Sequence, residues 1–167
     1  MNNILTQADI EKMKQEIHMR RFELEPKQLE AVKEARELGD LSENDEYRSA
    51  KRELNSNRAR IRYLENMVRT ATIVEPDKRE GIAALYDRVV IYYPEDDEER
   101  EITLVTTVRK DIFSDCISNE SPLGRAIIGH RAGETVTVRV NDSVSYDVQI
   151  REIKKGSDGS DIPISSF

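Results

Sequence analysis

The chain has 167 residues, of which 35% are charged and 5% aromatic, and it carries a formal net charge of −7. This composition is typical of one or two small domains with modest cores, and it excludes a fibrous or membrane-embedded protein. No apolar run approaches the roughly 18 residues of a membrane-spanning helix, and the first residues lack the features of a secretory signal. We therefore expect a cytoplasmic protein without a membrane partner.

Residues 6–38 carry the pattern of an interrupted amphipathic helix. Thr6 is a candidate N-cap, with Asp9 three positions on as a weak form of the capping box. Apolar residues then recur at steps of three and four. Pro26 lacks an amide hydrogen and disfavours helix at the residue before it, which predicts a kink or an interruption there. Gly39 is predicted to end this helix as a left-handed cap.

A second helix is predicted to begin near Ser42 or Asn44, because a seven-residue apolar repeat follows. The repeat and its alternate positions consist of Tyr47, Leu54, Ile61 and Val68 with Ala50, Leu64 and Ala71. Asn57 lies on the same seam, where a polar group fixes the register of two helices at some cost in stability. Two narrow apolar stripes joined by a short bend predict an antiparallel coiled-coil hairpin over residues 1–75.

Beyond a charged linker, the pattern changes to short segments rich in Val, Ile, Thr and Tyr. These segments predict five strands, at residues 88–93, 101–108, 112–117, 134–140 and 146–153. Ser121 and Pro122 predict the start of a short helix that Gly129 closes. Residues 76–155 are therefore expected to form a small β-rich α+β domain, and the Gly/Ser/Asp-rich residues 156–167 a disordered tail.

Few residues have the spacing of an independent active site. Cys116, the only cysteine, lies in an apolar–polar alternation, which favours a packed thiol over a nucleophile. His18 and His130 have no Cys or acidic cluster at metal-ligand spacing, and the sequence has no glycine-rich phosphate loop or nucleophile elbow. We therefore do not expect an enzyme that acts alone.

Acidic and polar residues are concentrated at the bend between the two predicted helices, where no core requires them. Asp40 and Glu43 are three positions apart, so both carboxylates can point away from the bend, and hard oxygen ligands of this kind suit Mg²⁺. Two carboxylates form an incomplete site. Acids of another macromolecule would have to complete it, and a second metal held in this way could activate water for phosphodiester cleavage. On spacing alone, a solvated helix start that is acidic because of the helix dipole explains the same residues.

The second predicted helix also carries a basic stripe in an otherwise acidic chain. Residues 48–69 contain seven Lys and Arg against two Glu. Four of the arginines lie on roughly one side of the helix: Arg48, Arg52, Arg62 and Arg69. This side would follow a phosphate backbone, or it would only keep an exposed helix solvated, and the pattern leaves both interpretations open. The lack of interleaved stacking aromatics argues against sequence-specific RNA recognition.

Two segments of the sequence resemble one known family. The tip signature of the bacterial Gre transcript cleavage factors, AR-x-x-GDL-x-EN-x-EY-x-x-AK, is similar to residues 35–53, ARELGDLSENDEYRSAKRE. A block of the family's C-terminal domain, SP-x-G-x-A-x-x-G-x-x-x-G-x-x-V, is similar to residues 121–138, SPLGRAIIGHRAGETVTV. The chain is thus similar to the GreA-like members of this family over most of its length.

The resemblance implies a coiled-coil hairpin followed by an FKBP-like domain that docks on bacterial RNA polymerase. The hairpin would enter the secondary channel of a backtracked elongation complex. Asp40 and Glu43 would be the catalytic tip acids, which help to hold a second Mg²⁺ and to position the attacking water. The polymerase itself would cleave the nascent RNA 3′ end, so this chain, expected to be a monomer, would be a cofactor that stimulates the cleavage.

The resemblance also assigns roles to the neighbours of these acids. Ser42, Asn44 and Asp45 would shape the tip, and Tyr47 would pack beneath it. Three arginines would form a basic patch that contacts the RNA: Arg36, Arg48 and Arg52.

In the docking domain, Ser121, Pro122 and Gly124 are interpreted as part of the fold and not as a site. The tip departs from the family pattern at Asp45, where the family commonly has Ala or Ser. Some relatives with strongly acidic tips inhibit polymerase, so the alternative function is a paralogue that occupies the channel without stimulating cleavage. A third hypothesis, a prolyl isomerase, rests only on the FKBP-like fold, and the C-terminal part has few aromatics to line a proline pocket.

Overall fold

The computed structural model describes residues 3–40, 42–109, 115–156, 159 and 161–165. The described chain divides into two compact units, of which one comprises residues 10–71 and the other residues 3–9 with the described residues from 72 onward. The prediction of a hairpin over residues 1–75 followed by a separate domain differs from this division at both ends. Residues 3–9 belong to the β-rich unit.

The first unit is a helical hairpin whose first arm has three parts. These are α1 (Gln7–Met19), a π-helical turn (Arg20–Leu24) and α2 (Glu25–Glu37), and the second arm is α3 (Asp45–Thr70). Contacts between the arms join early residues of one to late residues of the other, which makes the arms antiparallel. None of the helices in the described part of the chain is long and apolar enough to cross a bilayer.

The seam between the arms is narrow, as the apolar pattern predicts. The buried residues of α3 recur at steps of three and four: Leu54, Asn57, Arg60, Ile61, Leu64 and Met67. Asn57 exchanges two hydrogen bonds with Arg20, because its Nδ2 donates to the Arg20 carbonyl at 3.2 Å and its Oδ1 accepts from Arg20 Nη1 at 3.0 Å. Such pairing is what a polar seam residue needs in order to fix the register.

The first arm is interrupted close to Pro26, but by a π-helical turn that precedes the proline. The backbone N–H of Glu25 donates to the carbonyl oxygen of Arg20, five residues back. Pro26 then lies in the first turn of α2, directly after the π-helical turn. A wider turn relieves the clash that a proline ring makes with the carbonyl four residues before it in a regular helix.

The described part of the second unit contains a two-stranded ribbon, a five-stranded sheet, one short α-helix and a 3-10 turn at Thr107–Arg109. Its elements are β1 (Asn3–Leu5), β2 (Ala71–Ile73), β3 (Arg88–Tyr93), β4 (Glu98–Val105), β5 (Cys116–Ser118), α4 (Pro122–Ile127), β6 (Thr135–Arg139) and β7 (Ser145–Lys154). β1 pairs with β2, and the sheet has the order β5-β4-β3-β7-β6. All neighbouring strands of the sheet are antiparallel except β4 and β5, which are parallel. Together, the two units confirm the α+β class with a hairpin followed by a small FKBP-like domain.

Alternate residues of four strands build the core of the sheet, with Ile127 of α4 packed against them. The strand residues are Val89, Ile91, Ile102, Leu104, Val136, Val138, Val148 and Ile150. Ser121 caps α4, because its Oγ accepts from the N–H of Gly124 at 3.1 Å. A Cβ on Gly124 would lie only 2.1 Å from the carbonyl oxygen of Ser118. Both residues therefore serve the fold, as expected from the sequence.

The predicted strands agree with the structure in position and differ at their ends. β4 begins at Glu98 instead of Glu101, because the acidic run pairs with β3 and places Glu98 opposite Tyr93. Residues 112–114 of the predicted third strand lie outside the described residues, and β5 begins at Cys116. The Cys116 side chain is buried, which confirms the packed thiol.

Residues 3–9 belong to the β-rich unit because a buried polar cluster holds them. Thr6 and Asp9 form the predicted capping box, in which the Thr6 N–H donates to Asp9 Oδ2 at 2.9 Å and the Asp9 N–H donates to Thr6 Oγ1 at 3.3 Å. Asp9 also accepts from the hydroxyls of Tyr86 and Thr106. Its Oδ1 lies 2.6 Å from Nε of Arg109, and both side chains are fully buried.

The C-terminal tail differs from the predicted disorder at the residues that the structure describes. The carbonyl oxygen of Ile162 accepts from Nη1 of Arg109 at 2.7 Å, and the N–H of Gly156 donates to Asp87 Oδ1 at 3.0 Å. A buried guanidinium requires acceptors from the surrounding chain. A prediction from composition does not detect this requirement, because composition says nothing about which distant residue is buried.

Candidate functional site at the hairpin tip

The bend between α2 and α3 and the first two residues of α3, which are the described residues 39, 40 and 42–46, are called the hairpin tip. α2 ends at Glu37, and the N–H of Leu38 still donates to the carbonyl oxygen of Ala35 at 3.3 Å. Gly39 follows with a φ of 146°, and a Cβ there would meet no atom within 4 Å. Backbone conformation and not space therefore favours glycine at the position where the sequence predicts the end of the helix.

Asn44 is the N-cap of α3 and joins the two arms. Its Oδ1 accepts from the N–H of Tyr47 at 3.0 Å, and its Nδ2 donates to the carbonyl oxygen of Ala35 at 2.6 Å. One side chain thus satisfies a free N–H at the start of one helix and a carbonyl near the end of the other. Of the two predicted starts, Ser42 and Asn44, the structure selects Asn44.

Asp40 presents an oriented carboxylate at the surface of the tip. Its Oδ1 accepts two hydrogen bonds from Ser42, one from the backbone N–H and one from the hydroxyl, each 3.0 Å long. These bonds, the backbone bond first, lower the pKa of Asp40 below its ordinary value of 3.8. The carboxylate is therefore ionised at neutral pH and held in one direction by its neighbour.

Three further exposed carboxylates belong to the tip: Glu43, Asp45 and Glu46. Asp45 lies in the first turn of α3, with its Oδ1 3.8 Å from Nη1 of Arg48. Within the described part of the chain, Glu43 has no hydrogen bond or ion pair. Together with Asp40, these three carboxylates line an open cavity of about 420 Å³.

The tip acids do not form a complete metal site by themselves. Among the residues that the structure describes, no group of three or more His, Cys, Asp or Glu side chains is arranged to hold a metal ion. Mg²⁺ accepts one or two protein carboxylates when its other ligands come from water, a substrate or a partner. The donor set of Asp40 and Glu43 therefore fits an ion that is shared with another molecule.

A basic groove of about 920 Å³ runs beside the tip along α3. Its lining residues are Ser42, Tyr47, Arg48, Lys51, Arg52, Asn55 and Ser56. A guanidinium nitrogen of Arg48 donates to the carbonyl oxygen of Ser42, which ties the groove to the tip. The structure thus brings two of the three predicted patch arginines, Arg48 and Arg52, into one concave surface.

The ring of Tyr47 contacts one cationic side chain from each arm of the hairpin. The guanidinium of Arg36 lies 5.5 Å from the ring centroid and the ammonium of Lys51 lies 5.7 Å from it. The hydrogen bond from Arg36 to the hydroxyl lowers the pKa of Tyr47 despite partial desolvation, and the charge of Lys51 acts in the same direction. Arg36 of the first arm therefore contacts Tyr47, which lines the basic groove, but Arg36 is not one of the lining residues itself. The predicted patch omits Lys51, although its spacing of four from Tyr47 on a helix would have indicated it.

Two basic residues of the stripe beyond the groove form ion pairs with the first arm of the hairpin. Arg60 is buried, with its Nε 2.9 Å from Glu16, and Arg58 Nε lies 2.7 Å from Glu25. Arg62 is exposed. The stripe of seven basic residues is therefore not one continuous surface for a polyanion, and the groove beside the tip is its most concentrated exposed part.

Two family models match the chain in succession. The model "Transcription elongation factor, N-terminal" covers residues 3–73, and the model "Transcription elongation factor, GreA/GreB, C-term" covers residues 78–155. The chain belongs to the GreA/GreB family of transcription elongation factors. This membership confirms the resemblance that the tip signature and the C-terminal block indicate.

Curated relatives of this Gre-family chain share its length as well as its sequence. Transcription elongation factor GreA of Thermosipho melanesiensis is 40% identical over 150 residues, which are 90% of this chain and 95% of the relative. GreA of Clostridioides difficile is 38% identical over 153 residues, 91% of this chain and 96% of the relative. The solved structure of GreA factor homolog 1 (Gfh1) of Thermus thermophilus aligns with a TM-score of 0.43 at 25% identity, covering 93% of this chain and 100% of the Gfh1 chain.

Proposed function

We propose that this Gre-family elongation factor enters the secondary channel of bacterial RNA polymerase and stimulates the polymerase's own cleavage of backtracked RNA 3′ ends. In this proposal it acts in the cytoplasm as a monomeric cofactor, and the polymerase remains the enzyme. The observation that carries the proposal is the Asp40 carboxylate, which is exposed, ionised and oriented by Ser42 at a tip whose described residues form no complete metal site.

Asp40 and Glu43 are the residues that would hold a Mg²⁺ ion together with acids of the polymerase. When bound, such an ion activates water and stabilises developing negative charge during phosphodiester cleavage. Ser42 fixes the direction of the Asp40 carboxylate through its two hydrogen bonds. Asn44 fixes the first turn of α3 against α2, and thereby the backbone that carries Glu43.

The basic groove receives the backtracked end of the RNA. Its cations neutralise phosphates, which favours binding of any RNA sequence and makes that binding sensitive to salt. Arg48 and Arg52 line the groove and Arg36 adds a third charge across the Tyr47 ring. The groove begins at Ser42, next to Asp40, so an RNA held there ends beside the acids of the tip.

Replacing the tip acids with their amides tests this function. Asp40→Asn and Glu43→Gln keep the size of the side chains and remove the charged ligands, so we expect stimulated cleavage to fall by about 10- to 100-fold or more. The measurement uses stalled, backtracked elongation complexes with end-labelled RNA, and it scores the shortened transcript at a fixed Mg²⁺ concentration. Binding to the polymerase, measured by competition, should stay within about twofold.

Glu53→Gln provides the matched control, because it removes one exposed charge from α3 away from the tip. Cleavage by this variant should equal that of the unmodified protein. Full cleavage by both tip variants would reject the proposed role of Asp40 and Glu43.

Inhibition without cleavage is the second candidate function, and the two additional acids of the tip favour it. Asp45 and Glu46 line the same cavity as Asp40 and Glu43, so either of them would compete with Asp40 or Glu43 for the shared ion and hold it in an unproductive position. If the purified protein slows nucleotide addition and yields no shortened RNA, this function replaces the first. Asp45→Ala should then restore cleavage.

A further inference from the structure

Two tyrosines form a groove at one end of the five-stranded sheet, on the face that carries the core. Tyr93 ends β3 and Tyr146 lies near the start of β7, with ring centroids 6.0 Å apart and ring planes inclined by 34°. Both rings pack against the core but stay partly exposed. The groove has a volume of about 170 Å³, which is enough for the end of one long side chain.

The rim of this groove is acidic. Glu95 and Asp96, from the turn between β3 and β4, line it together with Asp147 of β7, and all three side chains are exposed. The Thr137 hydroxyl donates to Asp147 Oδ1 at 2.7 Å, which holds that carboxylate on the other face of the sheet. Among the described residues, neither Glu95 nor Asp96 takes part in an ion pair. The groove therefore combines two aromatic side chains with the two negative charges of Glu95 and Asp96.

On the opposite face of β3, the chain's own Arg151 packs on a tyrosine ring that lies next to an acid. There the guanidinium of Arg151 lies 3.8 Å from the centroid of the Tyr92 ring, and the Tyr92 hydroxyl donates to Asp97 Oδ1 at 2.7 Å. The residues that line the Tyr93–Tyr146 groove include no Lys or Arg. The two faces of β3 thus have similar chemistry, and one of them lacks a cation in its lining.

Two charged residues of β4, Glu98 and Arg100, affect the pKa of Tyr93 in the groove. Burial and the neighbouring Tyr146 raise the pKa of Tyr93, Arg100 acts against them, and Glu98 adds to the increase. The Tyr93 hydroxyl is therefore neutral at physiological pH and the ring keeps its electron-rich face. Arg100 contributes charge to the surroundings of Tyr93 but does not line the groove.

We propose that the Tyr93–Tyr146 groove binds a cationic side chain, an arginine or a lysine, presented by a basic segment of a partner protein. A cation within about 6 Å of an aromatic centroid is attracted to the ring face. Carboxylates around the groove raise the local concentration of cationic partners and repel the phosphates of a nucleic acid. The inference does not depend on the cleavage function, because the tip and the groove belong to different units of the chain.

The probe for this site is an acetylated and amidated hexapeptide with two central arginines between Gly and Ser residues. It is added to the full chain while aromatic and backbone NMR signals are followed. The signals of Tyr93 and Tyr146 should shift and saturate, and a peptide with glutamates in place of the arginines should leave them unchanged. Shifts spread evenly over all acidic surfaces, without saturation at these two rings, would overturn the proposal.

Paired variants separate the aromatic and the electrostatic contributions. Tyr93→Leu keeps an apolar side chain without a π face and should weaken the peptide by about threefold or more. Tyr92→Leu, on the other face of β3, is its control and should bind as the unmodified chain does. An equal loss in both variants would contradict the assignment to this groove.

The acidic rim is tested with Glu95→Gln combined with Asp96→Asn, which should weaken binding and reduce its dependence on salt. The matched control is Glu30→Gln combined with Glu34→Gln, which removes the same charge from exposed positions of α2. This pair of variants leaves the core intact, so it decides the question even if a tyrosine variant folds poorly. The proposal fails if the rim variant and the α2 variant bind the peptide equally well.

Discussion

Asn44 holds the tip with two bonds that require an acceptor and a donor on one short side chain. An aspartate would keep the cap on the Tyr47 N–H and lose the donor to the Ala35 carbonyl, which lies 2.6 Å from Nδ2. A serine would lose the same donor for lack of reach. The amide of Asn44 therefore connects the end of α2 to the start of α3 at the point where Asp40 and Glu43 are presented.

Asn44→Ala should lower the free energy of unfolding of the hairpin by about 1–2 kcal/mol, since it removes an N-cap and leaves the Ala35 carbonyl without this partner. Urea unfolding followed by far-UV circular dichroism measures the change. Asn55→Ala replaces an exposed asparagine in the interior of α3 and should change stability by less than about 0.5 kcal/mol. Equal stability of the two variants would show that the bridge from Asn44 contributes nothing.

The sequence predicted a bend and a helix start at the tip, but not which side chain makes which hydrogen bond. Asp, Ser and Asn after a glycine indicate a bend and a helix start, because these side chains accept hydrogen bonds from nearby backbone N–H groups. Ser42 and Asn44 both fit the N-cap position by residue type, and only the structure shows that Asn44 caps α3 while Ser42 orients Asp40. The roles of Asp40 and Glu43 in catalysis stay predictions.

At the scale of the helices, the hairpin combines an apolar seam with a polar network near the π-helical turn. Glu16 bridges Arg20 and Arg60, with Oε1 2.8 Å from one Nε and 2.9 Å from the other. Asn57 bonds the carbonyl and the guanidinium of the same Arg20. The heptad pattern predicted the seam and the polar position on it, since both follow from spacing. The π-helical turn has no such pattern, and Pro26 indicated only an interruption.

The Glu16 bridge makes hairpin stability depend on pH. Burial raises the pKa of Glu16, but the hydrogen bonds from Arg60 and Arg20 lower it by more, so the pKa in the folded hairpin lies below the ordinary 4.5. The bridge therefore contributes fully above the unfolded-state pKa and is lost as pH falls through the lower, folded-state value. We expect urea stability to decrease as pH falls from above 4.5, the ordinary pKa of the carboxyl, through the lower pKa of the folded hairpin.

Glu16→Gln should be less stable at neutral pH and should show a flatter decrease in acid. The comparison uses Glu53→Gln, an exposed acid on α3, which should keep the slope of the unmodified chain. The same slope in all three proteins would refute the contribution of Glu16.

At the scale of the whole molecule, a fully buried ion pair connects three distant parts of the sequence. Asp9 comes from the start of α1, Arg109 follows β4, and Ile162 of the tail accepts from the Arg109 guanidinium. The Asp9–Arg109 contact is short, but the Nε–H does not point along it, so charge and not a hydrogen bond joins this pair within the described residues. Burial and the adjacent Asp9 raise the pKa of Tyr86, which keeps its hydroxyl a donor to Asp9.

Arg109→Met should destabilise the β-rich unit by about 3–5 kcal/mol, because it leaves the Asp9 carboxylate buried without its cation. Combining it with Asp9→Asn should cost less than the sum of the single changes, since no unpaired charge remains. The backbone NMR signals of β3 and β7 during urea unfolding report on this unit. Arg151→Met removes an exposed arginine that pairs with Glu99 and should cost less than about 1 kcal/mol. Similar losses for Arg109→Met and Arg151→Met would refute the importance of the buried pair.

The buried cluster around Asp9 and Arg109 is the part of the fold that is hardest to predict from the sequence. Local patterns predicted the capping box of Thr6 and Asp9 and the alternation of β3, because each depends on a few neighbouring residues. Asp9 also pairs with the buried Arg109. No local sequence pattern connects these two residues, because they are 100 positions apart. The assignment of residues 3–9 to the β-rich unit, and the ordered contacts of Ile162, follow from this pairing.

The wide turn at Arg20–Leu24 also affects how this arm can vary between related proteins. Loss of a single residue inside it would convert the wide turn to a regular one, while the helices on either side keep the same sides toward α3. The same loss within α2 would rotate every later position by about 100° and carry Asp40 to a different side of the arm. Single-residue deletions inherited in this family should therefore be tolerated at the wide turn and selected against between it and Gly39.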